Sequence, residues 1–316
     1  MTRRHAIPLA APLAALLAGC HRSGQRVIGV VPKATSHLFF MAVHAGVKQA
    51  AEEFAFDIDW NGPQDETDHA RQIQVVDAMV AQKVSALAIS ATDENTVAQA
   101  VQRAIDAGIP VSVFDSGVNA KGFLTFVATD NLAAGVTAAE RLAILVHRKG
   151  KVGMVMHKPG GTSTMLREQG FEATMKNYPG LTIAARQYGM ADRAKARAAA
   201  ENMLTAHPDL AGLFASSEAS SLGAMQAIES RGLSGKVKLI TFDTSDSHVA
   251  ALKAGTIDLM LVQDSRRMGY EVVKSLATKL QGGTPPVRLD LPVQVIGKSD
   301  LGRPEVQALL VPKMDR

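Results

Sequence analysis

The sequence predicts an α/β protein of two doubly wound lobes, each a parallel sheet covered by helices. Two patterns and one length carry that reading. Short β-branched apolar runs alternate with helix-period segments along nearly the whole chain. The alternation runs from Arg26 to Val146 and then starts afresh at Val152, as two successive sheets require. A chain of 316 residues is long for one core and suits two. Composition is that of a globular protein, with 47% hydrophobic and 20% charged residues. The net charge is +4, with no dense Lys/Arg run and no basic–aromatic alternation, which argues against nucleic acid as a partner.

The first series opens at Arg26–Phe40. Val27–Val31 is apolar on both faces, as a buried parallel strand is, and runs into the polar loop Pro32–His37. The helix that follows buries Phe40, Val43, Val47, Ala51 and Phe54 at helical spacing. Phe39 points about 100° off that stripe, either into a ligand wall beside Lys33 and His37 or simply into water. Strands are expected at Phe56–Trp60, Ala86–Ile89, Val111–Phe114 and Leu124–Ala128, with helices at Thr67–Gln82 and Asn95–Ala107 between them. Gly108 and Pro110 stop the latter helix, and Asp130 caps the next, which runs through Val146.

In the second series the strands are Val152–Met156, Leu181–Gln187, Leu213–Ala215, Val237–Phe242 and Leu259–Val262. Helices at Met165–Asn177, Arg193–Ala206, Leu222–Ser230, Ser247–Ala254 and Met268–Leu280 separate and follow them, with Ser245 as a cap. A Gly-Gly-Thr-Pro-Pro turn then leads to strands within Leu289–Ile296.

The N-terminus carries a different signal. Arg3 and Arg4 precede a short apolar run, broken by Pro8 and Pro12, that ends in Leu17-Ala18-Gly19-Cys20. This is the pattern of an export signal, too short to span a bilayer. The LAGC tetrapeptide resembles the lipobox of bacterial lipoproteins, and Cys20 is the sole cysteine, so no intramolecular disulfide can form. The expectation is a signal over 1–19, lipidation at Cys20 and a tether over 20–25.

Ligands of open α/β sheets sit beyond the carboxyl ends of the strands. Those ends carry Lys33 to His37, Ser90 to Thr92, Asp115 with Ser116, Thr129 with Asp130, and Lys158 to Thr164. In the second series they carry Ser216, Ser217 and Glu218, then Asp243 with Thr244, and Gln263 with Asp264. Carboxylates accept hydroxyl protons, amides donate and accept, and an aromatic face covers the C–H side of a ring, so this set suits a neutral polyhydroxylated ligand. Asp115 and Asp243, each directly after an apolar strand, are the leading candidates. His157 and His207 read as loop residues. Enzyme motifs are lacking: no GxGxxG after the first strand, no GK[ST] phosphate loop, no GxSxG and no HExxH. No histidine pair has metal spacing, and neither metal nor cofactor is expected. Asp115 with Asp243 could form a glycosidase pair, but nothing local marks one as the proton donor.

VVPKATSHLFF, FDSG, ATDN, GTSTMLREQGF, MLTAHPDL, ITFD and LVQDSRRMGY stand in the order and spacing of a known family. The chain after its signal resembles the type I, ribose-binding-like periplasmic sugar-binding proteins of ABC importers. The resemblance implies two lobes joined by three crossing strands, 26–129 plus 264–292 and 130–263 plus 293–316, that clamp a ligand by hinge closure. It assigns His37 to the first-loop amide position, Phe39 and Phe40 to the ring-stacking aromatics, and Asp115 and Asp243 to the two carboxylates. Gln263 takes the hinge amide, and Ser217 stands where an asparagine is usual. Ser116 replaces the arginine of ribose binders, Met165 stands at the sugar-contacting arginine with Arg167 two positions on, and Ala191 replaces a third aromatic. With Lys33 as an added donor, the pocket is expected to take another monosaccharide, a deoxysugar or a polyol.

The implied protein is a monomeric, non-enzymatic, membrane-anchored periplasmic lipoprotein that delivers its ligand to an inner-membrane permease. LacI-type repressors share the core, but an export signal stands where their helix-turn-helix would be. A periplasmic sensor for a membrane kinase or chemoreceptor, and a secreted sugar-processing enzyme, are the remaining alternatives.

Overall fold

The computed structural model describes residues 26–310. The expected signal over 1–19, Cys20 with the expected tether over 20–25, and residues 311–316 lie outside that range. Strands β1 (Val27–Val31), β2 (Asp57–Trp60), β3 (Ala86–Ile89), β4 (Val111–Phe114) and β5 (Phe126–Thr129) alternate with helices α1 (Leu38–Phe54), α2 (His69–Ala81) and α3 (Ala98–Asp106). Helix α4 (Asn131–Leu145) leads into β6 (Gly150–Met156), α5 (Thr162–Met175), β7 (Leu181–Tyr188), α6 (Arg193–Ala206), β8 (Leu210–Ala215) and α7 (Glu218–Ser230). Then come β9 (Lys238–Phe242), α8 (Asp246–Ala254), β10 (Leu259–Val262), α9 (Ser265–Leu280), β11 (Arg288–Leu291), β12 (Gln294–Ile296) and α10 (Pro304–Leu310).

Two six-stranded sheets result, in the orders β11-β5-β4-β3-β1-β2 and β12-β10-β9-β8-β6-β7. Every pairing is parallel except β10 with β12, which is antiparallel. The exception follows from connection length: β12 is reached from β11 through Pro292 and Val293 alone, too few residues for a crossover helix. The chain passes between the sheets three times, after β5, after β10 and between β11 and β12.

Alternate strand residues feed separate cores on the two faces of each sheet. In the first sheet Ile28 and Val30 pack with α1 and α9, while Val31, Leu87 and Ile89 pack with α2 and α3. In the second, Val152 and Met154 pack with α4 and α5, where Phe171 stacks on Phe214. Val155, Leu213 and Leu239 pack with α6, α7, α8 and α10. Both strand orders reverse direction beside the first strand of the series, between β1 and β3 and between β6 and β8. Those are the switch points where such sheets leave room for a ligand.

Most helices are capped by their own sequence. Asp68, Asp130, Asp192, Ser217, Ser245 and Asp264 each accept a backbone N–H of the first turn. Helices α1, α3 and α5 differ, for His37, Val97 and Gly161 make no side-chain cap. Of these, α1 and α5 follow β1 and β6, so their first turns open at the switch points.

Candidate functional site

A cavity enclosing about 360 Å³ of empty space, mouth included, lies between the two sheets. The first half lines it with Lys33, His37, Phe39, Phe40, Glu66 and Asp115. The second lines it with His157, Ser163, Thr164, Arg167, Ser217, Glu218, Ala219 and Asp243, and Gln263 stands at a crossing. Of the residues singled out from sequence, Lys33, His37, Phe39, Phe40, Asp115, Arg167, Ser217, Asp243 and Gln263 come together here. Ser116 does not line the cavity. Its hydroxyl lies 3.1 Å from Thr162 Oγ1 and accepts the Ser163 N–H, because one step past Asp115 the chain has turned towards the facing loop.

Lys33 leaves the end of β1 and is 4% exposed. Its ammonium sits 3.0 Å from Asp115 Oδ2 and 3.6 Å from Glu66 Oε2, and donates to Ser163 Oγ across the cleft. Burial opposes its charge, but Asp115 and Glu66 outweigh that and raise its pKa. Ser90 donates to the same Asp115 oxygen at 2.9 Å. Phe40 is fully packed into the core, and Phe39 meets it edge to face with centroids 4.9 Å apart. The pair gives one wall of the cavity an apolar surface.

Arg167 projects from α5 and is 2% exposed, whereas Met165, nearer the helix start, points outward at 40%. Its Nε donates to Asn131 Oδ1 and Nη1 to the Ser216 carbonyl, with the guanidinium 3.7 Å from the Phe242 ring centroid. Burial lowers its pKa, against the opposing charges of Asp243 and Asp115. Asp243 accepts Gln263 Nε2 at 2.6 Å on Oδ1 and the Glu218 N–H on Oδ2. Burial raises its pKa, with Arg167 opposing. Gln263 in turn accepts from Thr129 Oγ1, so one amide ties the end of β5 to the second half.

Glu66 and His157 were not among the residues expected. Glu66 lies in the turn before α2, past the strand end the sequence marks. His157 reads as a loop histidine, yet it is 2% exposed and bridges the halves. Its Nε2 lies 2.9 Å from Glu66 Oε2 and its Nδ1 2.8 Å from Ser217 Oγ. Because an ionised carboxylate only accepts, Nε2 carries the proton. Burial lowers the His157 pKa despite Glu66. Burial also opposes ionisation of Glu66, but Lys33, His157 and His37 hold its carboxyl well below the usual range. His37, 3.4 Å from Glu66, has its pKa raised by that contact against its own burial.

Glu218 completes the rim. Burial and then Asp243 push its pKa up to about 7, against His37 and the nearby Phe39 N–H of α1. Its Oε2 has no hydrogen-bond partner among the described residues. Glu168, behind the wall, is also raised to about 7 by burial, and accepts the His157 N–H and Ser216 Oγ. The cavity is thus a ring of fixed acceptors with two buried cations, Lys33 and Arg167, and one aromatic wall. No cluster of three or more His, Cys, Asp and Glu suited to a metal occurs among the described residues.

Fold and cleft together define a solute-binding protein of the periplasmic type, and the comparisons agree. Residues 28–284 match the family model described as a periplasmic binding protein domain. A D-ribose/D-allose-binding protein of Pseudomonas aeruginosa is 30% identical over 82% of this chain and 83% of its own. The ribose import binding protein RbsB of Bacillus subtilis is 26% identical over 85% of this chain and 86% of its own. An ABC transporter solute-binding protein of Agrobacterium vitis, solved with α-D-tagatopyranose, superposes with a TM-score of 0.87 at 33% identity, covering 90% of this chain and 98% of that one. One of Agrobacterium radiobacter, in complex with D-arabinose, gives 0.88 at 31%, covering 91% and 99%.

The chain belongs to the periplasmic binding protein family, in its type I sugar-binding branch. Its role is that of an ABC transporter's solute-binding component.

Proposed function

We propose that the protein captures one monosaccharide, deoxysugar or polyol in the cleft and hands it, unchanged, to an inner-membrane permease. The observation that carries this is the composition of the cavity wall. Asp115 from one half, Asp243 from the other, Gln263 at the crossing and the Phe39–Phe40 wall converge on one space. Relatives solved with D-arabinose and α-D-tagatopyranose support a ligand of that class. Lobes of 26–129 plus 264–292 and of 130–263 plus 293–316 rotate about the three crossings.

Each lobe supplies part of the hydrogen-bond set, so the ligand binds the closed form better and shifts the population towards it. A handful of charge-assisted hydrogen bonds at about 1.5–3 kcal/mol each offsets ordering costs and leaves about −8 kcal/mol, or a Kd of ~1 μM. The protein acts as a monomer. Cys20 carries a lipid that holds it at the membrane, and replacing Cys20 by Ser is expected to move it to the soluble periplasmic fraction.

Thermal unfolding against D-ribose, D-allose, D-arabinose, D-tagatose, D-fucose and a set of polyols tests the reading, since bound ligand raises apparent stability by mass action. At least one compound is expected to raise the melting temperature and to be recovered intact. Turnover of the compound, or no response across the set, overturns the proposal.

A further inference from the structure

The polar, glycine-rich run Lys158-Pro159-Gly160-Gly161-Thr162-Ser163 joins β6 to α5. Only Ser163 of it lines the cavity. The rest lies on loops of the other half. Lys158 Nζ donates to the Thr92 carbonyl at 2.5 Å, and the Gly160 carbonyl accepts the Glu94 N–H at 3.0 Å. Thr162 Oγ1 accepts the Gly117 N–H at 2.6 Å and meets Ser116 Oγ at 3.1 Å. The receiving loops are braced against each other, for Asn119 bonds the Glu94 carbonyl through its N–H and the Asn95 side chain through Nδ2.

Gly160 is the tightest point of this contact. Its φ is +82°, and a Cβ there would stand 1.8 Å from Asp93 Oδ2 and 2.8 Å from Asp93 Cγ. Asp93 has little freedom to yield, because its Oδ1 accepts the N–H groups of Asn95 and Thr96.

We propose that the Lys158–Thr162 loop is a latch that holds the lobes shut from outside the ligand cavity, with Gly160 as its positioning residue. The inference rests on the two-lobed capture reading above and adds to it a part of affinity owed to residues that never touch the ligand. A latch made only on closing acts on release. Ligand enters the open form, where a side chain at 160 meets water, and the loss falls on the dissociation rate.

Stopped-flow binding with whichever sugar of the set above raises the melting temperature compares wild type, Gly160→Ala, Asp93→Ala and the double variant. Gly160→Ala is expected to release sugar ~10-fold faster with an unchanged association rate, and to lower the unfolding midpoint only by the strain of Ala at a φ of +82°. In the double variant, release returns to within about threefold of Asp93→Ala alone, because the collision has been removed. Wild-type release from Gly160→Ala, or no recovery in the double variant, overturns the latch. If no sugar binds, the capture reading has failed on its own, and the latch is judged in ligand-free protein by amide hydrogen exchange at Glu94 and Gly117. Slower exchange in wild type than in Gly160→Ala supports it, and equal exchange in the two overturns it.

Discussion

Asp115 and Asp243 occupy equivalent corners, at the ends of β4 and β9, and both hold left-handed backbone, with φ of +55° and +67°. Asp and Asn tolerate that region because the short polar side chain can bond locally, whereas Ala there is strained by about 1–2 kcal/mol. Charge and conformation can therefore be separated. Asp115→Asn and Asp243→Asn are each expected to weaken ligand binding by about 1.5–3 kcal/mol, roughly 10- to 100-fold. Asp243→Asn changes the melting temperature little, whereas Asp115→Asn lowers it by leaving the buried Lys33 ammonium with Glu66 alone. The Ala variants lose affinity and melting temperature together. Calorimetric titration and thermal unfolding check both, and Asn variants with wild-type affinity sink the site assignment. These aspartates were legible in sequence because each directly follows an apolar strand, as do Gln263 and, one residue on, Lys33. Glu66 was not, since only tertiary structure brings the turn before α2 against Lys33 and His157. His157 follows β6 directly, yet its meaning depends on a carboxylate 91 residues away.

Helices show the same divide between legible and hidden. Their cores were readable from apolar spacing, but α5 begins at Thr162 and α7 at Glu218, several residues before their first periodic apolar positions. First turns facing a cleft are polar, so periodicity starts late. The C-terminal helix α10 was missed because its seven residues bury only Val306 and Leu310. Hidden altogether was the role of glycine where helices cross. A methyl on Gly135 of α4 would stand 2.0 Å from the Arg167 carbonyl of α5, and one on Gly170 would stand 2.3 Å from the Leu132 carbonyl. In the other half, Gly46 and Gly269 make the same reciprocal approach between α1 and α9. Backbone cannot swing aside as a side chain can, so Gly135→Ala must part α4 from α5 and displace Arg167 with it. The variant is expected to lose about 3 kcal/mol of stability, the upper end for overpacking, and to bind ligand more weakly in proportion to the Arg167 shift. Urea unfolding checks the first effect. A fully stable Gly135→Ala with normal affinity contradicts the packing account.

Across the whole molecule, the proposed closure would carry titratable groups out of water, so affinity is expected to depend on pH. His157 crosses the cleft to reach Glu66, and burial lowers its pKa below the ordinary 6.5. The closed form then binds that proton less well than the open form. Its contribution to closure is complete above the ordinary value and lost as pH falls from there towards the lowered one. His37 has the opposite sign. Against its burial, Glu66 raises its pKa, so its contribution is present below 6.5 and lost as pH rises through the raised value. Glu218 acts in a lower window, because burial and Asp243 raise its pKa from 4.5 to about 7, so its contribution is complete below 4.5 and lost between there and about pH 7. Glu66, held well below its ordinary 4.5, adds a further fall only in more acidic solution, while Lys33, raised, stays charged throughout. The expected profile of affinity against pH is a bell across neutral pH, with its acid limb below 6.5 from His157 and its alkaline limb above 6.5 from His37. His157→Asn keeps a donor towards Glu66 without a titrating ring, and is expected to flatten the acid limb and leave the alkaline limb in place. Glu218→Gln is expected to remove the fall between pH 4.5 and about 7 and likewise to leave the alkaline limb in place. Calorimetric titration across that range separates them, and a profile with the same acid limb in wild type and His157→Asn means that the Glu66–His157 contact does not form on closing.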